Sequence, residues 1–201
     1  MKHIKLVALC VGFAFAALPA TAGAFVPFWE VKGPPAAFTK LTAGTKETLN
    51  SKAGFGITGD KSSKPFKGTC EVEDKETIEN EIGGEGIDEM TVFEAKCGPT
   101  APFPCAAGEG YTLTGGTSLP WPSELVLPSN DAFEKVELEV KCLSSGASAL
   151  YHPPGHLWSP KISVNALKSS AASGVFKHGL GNYFYFVGTD TLTPVLHAEV
   201  R

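Results

Sequence analysis

The cleanest periodicity in the chain lies at residues 136–142, VELEVKC. Val136, Leu138, Val140 and Cys142 fall on one side, and Glu137, Glu139 and Lys141 on the other. That is the alternation of a strand with one buried face. IDEMTVFEAKC (87–97) alternates as well, with Thr91, Phe93, Ala95 and Cys97 on one side and Met90, Val92 and Glu94 on the other. FKGTCEVED (66–74) reads as a half-exposed strand. GFGITGD (54–60), EGYTLTGG (109–116), NYFYFVGTD (182–190) and PVLHAEV (194–200) read as short strands, several closing on turn residues. FVPFWEVKGPPAA (25–37) is aromatic and then proline-rich, an edge strand or an arm laid on the body. Gly (22) and Pro (15) punctuate the chain, and no stretch carries a long helical period. The pattern predicts an all-β, antiparallel sandwich or barrel-like single domain over 25–201. Residues 143–160, rich in Ser, Gly, Ala and Pro, read as a long loop or a weak boundary.

LPWPSELV (119–126) raises a separate question, because Trp121 stands between two prolines. Proline fixes φ and donates no ladder hydrogen bond, so this is an edge strand or a strand entrance. A tryptophan held there either plugs the end of the core or stands exposed as a platform for a sugar ring or a partner.

The N-terminus sets the expected compartment. Lys2, His3 and Lys5 precede an apolar run, Leu6–Leu18, broken by Pro19 and followed by Ala22-Gly23-Ala24. This is the pattern of a secretory signal peptide over 1–24, with cleavage after Ala24 or Ala22. The run is too short to span a bilayer as a helix. Cys10 lies in the leader core, and Leu9 before it does not suit a lipoprotein anchor. Removing Lys2 and Lys5 leaves 15 basic against 21 acidic residues, net −6, with no basic stripe. That argues against a nucleic-acid partner. No second apolar run reaches transmembrane length, so the mature chain is expected outside the cell, secreted or associated with the envelope.

Cys70, Cys97, Cys105 and Cys142 remain after the leader, an even number that reads as two disulfides in an exported chain. Zinc sites prefer close cysteine pairs, which these spacings do not provide. Cys97–Cys105 would pin the proline-rich loop GPTAPFP, and Cys70–Cys142 would then join two strand ends. The rival pairing is Cys70–Cys97, which a hairpin turning at Gly83-Gly84 would bring opposite each other.

Taken together, GTC (68–70), the Gly-rich hairpin at 83–86, Cys97, Cys105, LPWPSELV and the strand ending in Cys142 are similar to a group of exported proteins of high-GC soil actinobacteria. That group carries a Cys…Cys…Cys…LPW-x-x-x-LV…Cys pattern. The resemblance covers about residues 60–142. It implies export, β structure and paired cysteines, and it brings no catalytic residue and no activity with it.

Three constellations bear on chemistry. Glu71, Glu73, Asp74, Glu76, Glu79, Glu81, Glu85, Asp88 and Glu89 place nine carboxylates in nineteen residues, opposed only by Lys75. They read as a solvated acidic hairpin. The calcium-loop pattern is absent, though two of them could serve as a glycosidase pair. HPPGH sets His152 and His156 four apart, a metal-ligand spacing on a helix that Pro153 and Pro154 forbid, so a bent loop would have to bring them together. There is no G-x-S-x-G elbow, and Gly179-Leu180-Gly181 lacks a βαβ context, so no cofactor is expected. The expectation is a non-enzymatic binding or envelope protein, its partner a cell-wall glycan or another envelope protein. One alternative is a carbohydrate-binding module using Trp121, Trp158, Trp29, Tyr183 or Tyr185. The other is an exported hydrolase using paired carboxylates or the His152/His156 loop.

Overall fold

The computed structural model describes residues 27–32, 37–83, 85–98, 102–126, 130–163, 166–193 and 196–200. The expected leader, 1–24, with Cys10, lies outside the described residues, as does Gly84 of the expected Gly-Gly turn.

An antiparallel hairpin forms the backbone of the fold. β3 (Lys46–Lys61) and β4 (Lys64–Asn80) pair from Lys46↔Glu79 to Lys61↔Lys64. Both turn residues, Ser62 and Ser63, have positive φ, as a two-residue hairpin turn with the right twist requires. The Ser62 N–H donates to Asn182 Oδ1 and the Ser63 N–H to the Gly181 carbonyl, which hold that uncommon conformation. β5 (Gly86–Gly98) runs back along β4. The C-terminal half of β5 is extended by β6 (Tyr111–Thr114), β9 (Leu138–Cys142) and β10 (Ser148–Tyr151). Its N-terminal half pairs instead with β7 (Trp121–Val126).

On the far side of β3 lies β14 (Tyr183–Thr193). Their approach needs Gly59, where a Cβ would fall 1.9 Å from the Tyr183 carbonyl oxygen. β12 (Ala166–Ser169) and β13 (Phe176–Lys177) both pair with β14, and β11 (Lys161–Ser163) pairs with β12. β8 (Asn130–Phe133) pairs with β7 and touches β11 only at Lys161↔Asn130. The pairings run from β5 through β4, β3, β14, β12, β11, β8 and β7 back to β5, so the large sheet curls round on itself, with the single Lys161↔Asn130 pair as its thinnest seam. No α-helix occurs among the described residues. A second sheet, β15 (Leu196–Val200), β1 (Pro27–Lys32) and β2 (Phe38–Lys40), is three-stranded. The all-β antiparallel class is as the periodicity predicts.

Inward-facing aromatic side chains fill the fold. Phe93 packs on Trp121, Trp158 and Phe186, and Trp158 continues to Phe133 and Phe176. Val136, Leu138, Val140 and Cys142 are buried on one face, as their alternation requires. Residues 143–160 carry Tyr151 and Trp158 into this same core. Two features depart from simple alternation. In β5 both Met90 and Phe93 point inward, because Lys75 pairs with Val92 and Glu76 with Met90, leaving Thr91 as the extra residue of a bulge. In β4 the inward phase set by Cys70, Val72, Ile78 and Asn80 carries Asp74 and Glu76 inside with them. Asp88 follows from β5. The acidic hairpin is therefore not uniformly solvated. Ser51 donates its hydroxyl to Asp74 Oδ1 from β3.

The disulfides are Cys70–Cys97 and Cys105–Cys142, which corrects the expected Cys97–Cys105 and Cys70–Cys142. The hairpin explains the change. Cys70 and Cys97 are directly opposed in the β4–β5 register, with Cα atoms 4.1 Å apart, so their side chains meet on the inner face. Cys105 then ties the loop after β5 to the end of β9.

Beside that second bridge, Glu109 joins two loops. It accepts hydrogen bonds from the backbone N–H groups of Ala106, Ser144 and Ser145 and from the Ser145 hydroxyl. The Ala106 N–H, followed by that of Ser145, holds its carboxyl well below 4.5, at about 2. A depressed folded pKa contributes stability above the ordinary value, and that stability is lost as pH falls through the folded one. Native protein is therefore expected to lose melting temperature relative to Glu109→Gln between about pH 4.5 and about pH 2. A constant difference between the two proteins across that window in pH-dependent melting curves would count against this role.

Candidate functional site

The outer face of the sheet becomes concave where β3, β4, β5, β7 and β8 run side by side. Register lines up two cross-strand ranks there. The first is Lys46, Glu79, Ile87, Glu124 and Ala132, each directly opposite the next. The second is Thr48, Thr77, Glu89 and Pro122. Glu134 joins its far end, its N–H donating to the Pro122 carbonyl.

Apart from Thr48, these ranks line a cleft of about 490 Å³, whose walls also include Leu157. Ile87, Pro122, Ala132 and Leu157 supply apolar surface, and Glu79, Glu89, Glu124 and Glu134, with the buried Asp88 at the wall, supply carboxylates. Lys46 is the one cation among the lining residues, 3.8 Å from Glu79 Oε2. No ion pair to Glu89, Glu124 or Glu134 occurs among the described residues. No histidine, cysteine or tyrosine lines the cleft among them either. Its chemistry is thus that of an apolar surface with an acidic rim, in the size range of small-ligand sites.

β7 positions this wall through its alternation. Trp121, Ser123 and Leu125 point inward and are buried, while Pro122 and Glu124 point out into the cleft. The indole of Trp121 faces Phe93 at 5.5 Å between centroids, and its Nε1–H donates to Ser118 Oγ at 2.9 Å. Trp121 is therefore the plug of the two readings, and β7 is a strand entrance with partners on both sides rather than an edge.

The other residues singled out by sequence are distributed differently. Trp29 and Trp158 are buried like Trp121, so the tryptophans form no stacking platform. Tyr183 and Tyr185 are half-buried on the outer face of β14, opposite Asp60 and Thr58 of β3. The hydrogen bond to the Asp60 carboxylate holds the Tyr183 phenol above its ordinary range. His152 and His156 do come together, their rings stacked 4.3 Å apart and 13° from parallel. Parallel rings aim their nitrogens side by side rather than at one ion. Each Nδ1 already lies against a carbonyl oxygen, of Pro153 and of Val136. No third ligand atom joins them among the described residues. The one metal-competent cluster there, Cys105, Glu109 and Cys142, has its two sulfurs bonded to each other. Asp74 and Glu76, inward members of the acidic hairpin, are buried and do not line the cleft, whereas Asp88, also inward and buried, lies at its wall.

Sequence reading names Glu79 and Glu89 only within the acidic run, and Glu124 and Ala132 not at all. The β5–β7 pairing that assembles them leaves no periodic signal. No family model, curated protein or solved structure matches the chain.

Proposed function

We infer that this is an exported, disulfide-stapled binding protein that takes its ligand in the cleft between β4, β5 and β7, without catalysing a reaction on it. The observation that carries this reading is the cleft itself, a concave surface on the sheet lined by apolar side chains and several carboxylates. Export rests on the leader pattern, on the resemblance to exported actinobacterial proteins, and on two disulfides of the kind that persist in oxidising compartments. Among the described residues, no helix is long and apolar enough to cross a membrane.

The test is a thermal-shift screen of small molecules and short peptides on native protein and on Ala132→Trp, which fills the cleft. At least one ligand is expected to raise the melting temperature of native protein by mass action and to leave the variant unmoved. A ligand that stabilises both proteins equally would place binding elsewhere.

A second reading, a glycan platform, keeps one observation in its favour: Tyr183 and Tyr185 share the outer face of β14. It requires Tyr185→Ala to abolish retention on a glycan panel that Ala132→Trp leaves intact.

A further inference from the structure

We propose that the ligand of the cleft is an aliphatic polyamine, a flexible apolar stem carrying several ammonium groups. The proposal rests on the reading of the cleft as the ligand site and specifies the chemistry it takes. Glu79 and Glu124 flank Ile87 on the two neighbouring strands, two strand spacings or about 10 Å apart. Glu89 lies two residues along β5 from Ile87, and Pro122 stands opposite it. Carboxylates and apolar side chains therefore alternate across the floor in both directions. A ligand matching that pattern needs positive charges separated by hydrocarbon, and needs bends to follow a cross-strand grid. No three of these carboxylates converge on one point among the described residues, so a single small cation would leave most of the rim and the apolar floor uncovered. A sugar would bring no charge to the rim, and an anion would be repelled by it. Lys46 neutralises only Glu79 and leaves the rest of the rim to the ligand. Exposed ion pairs are individually weak, so affinity has to come from several engaged together, which a polyamine allows.

The experiment is isothermal titration of the full chain with spermidine, with an α,ω-diol of matching length and with a trilysine peptide. Spermidine is expected to bind, and less tightly as salt rises. Glu89→Gln and Glu124→Gln should each weaken it by about threefold to fivefold. Glu71→Gln, on the exposed face of β4 outside the cleft, should leave it unchanged. Lys46→Ala should tighten it, a change of sign that a merely structural role for these residues would not produce. Equal affinity for the diol, trilysine binding in place of spermidine, or indifference to both glutamine variants overturns the proposal. If spermidine fails while another ligand still depends on an unfilled Ala132 position, the polyamine is wrong and the cleft stands. If no ligand responds to Ala132→Trp, the cleft reading itself has failed.

Discussion

Asn80→Ala is expected to destabilise the protein by about 3–4 kcal/mol, among the largest effects of any single polar residue. Asn80 is fully buried at the end of β4, and its side chain clasps the small sheet to the large one. The Trp29 N–H donates to its Oδ1 at 2.7 Å, while its Nδ2 donates to the carbonyls of Trp29 and Leu41 at 3.0 and 2.8 Å. Alanine leaves the Trp29 N–H without its acceptor and removes a donor from two carbonyls. Trp29 O keeps the Leu41 N–H. An orphaned buried donor costs about 1–3 kcal/mol, and the two further bonds about 1 kcal/mol each. The Trp29 side chain depends on the same clasp. Its Nε1–H donates to the Ile87 carbonyl, and its ring lies so close to Gly86 that a Cβ there would come within 3.0 Å of Cδ1. Asn80→Asp keeps the shape and loses both donors, so it should be no better than alanine. Urea denaturation measures both. A loss under about 1 kcal/mol for Asn80→Ala would remove the clasp from this account.

Trp121→Ala is expected to cost about 3–5 kcal/mol, the range for deleting a fully buried large aromatic side chain. Met90 lies opposite it in register and Phe93 against its ring, so the space it leaves is walled by rigid strands and cannot collapse. Trp121→Phe keeps most of the volume and should cost about 1–2 kcal/mol, part of it from the Ser118 hydroxyl losing its indole partner. Because Pro122 and Glu124 ride on the same strand, Trp121→Ala should also weaken any cleft ligand, whereas Trp121→Phe should not. A near-neutral Trp121→Ala in urea denaturation would contradict its assignment as a plug.

These two residues show what was legible in the sequence and what was not. For Trp121 the flanking prolines made a strand entrance legible, but plug and exposed platform both stayed open until its burial against Phe93 decided between them. Strand β9 was legible in full: Val136 to Cys142 alternate without interruption. In β5 one bulge at Thr91 shifts the phase, so a strict period of two puts Met90 on the wrong face relative to Phe93. Asp74 and Glu76 look like surface charges by type and are buried by position, because strand phase is set by the whole of β4. The disulfide partners depend on register, which the symmetry of Cys70 and Cys97 about the hairpin hinted at and the proline-rich loop obscured. The cleft was the least legible feature. Lys46, Glu79, Ile87, Glu124 and Ala132 come from five strands, and the β5–β7 and β7–β8 pairings that align them are set by the three-dimensional packing.

The central claim is that ligand binds on the outer face between β4, β5 and β7, and amide chemical-shift mapping tests it most directly. On titration with spermidine, the account predicts shifts concentrated at residues 77–79, 87–89 and 122–124. Shifts concentrated instead at Tyr183 and Tyr185 on β14, or spread evenly over the acidic surface, would contradict it.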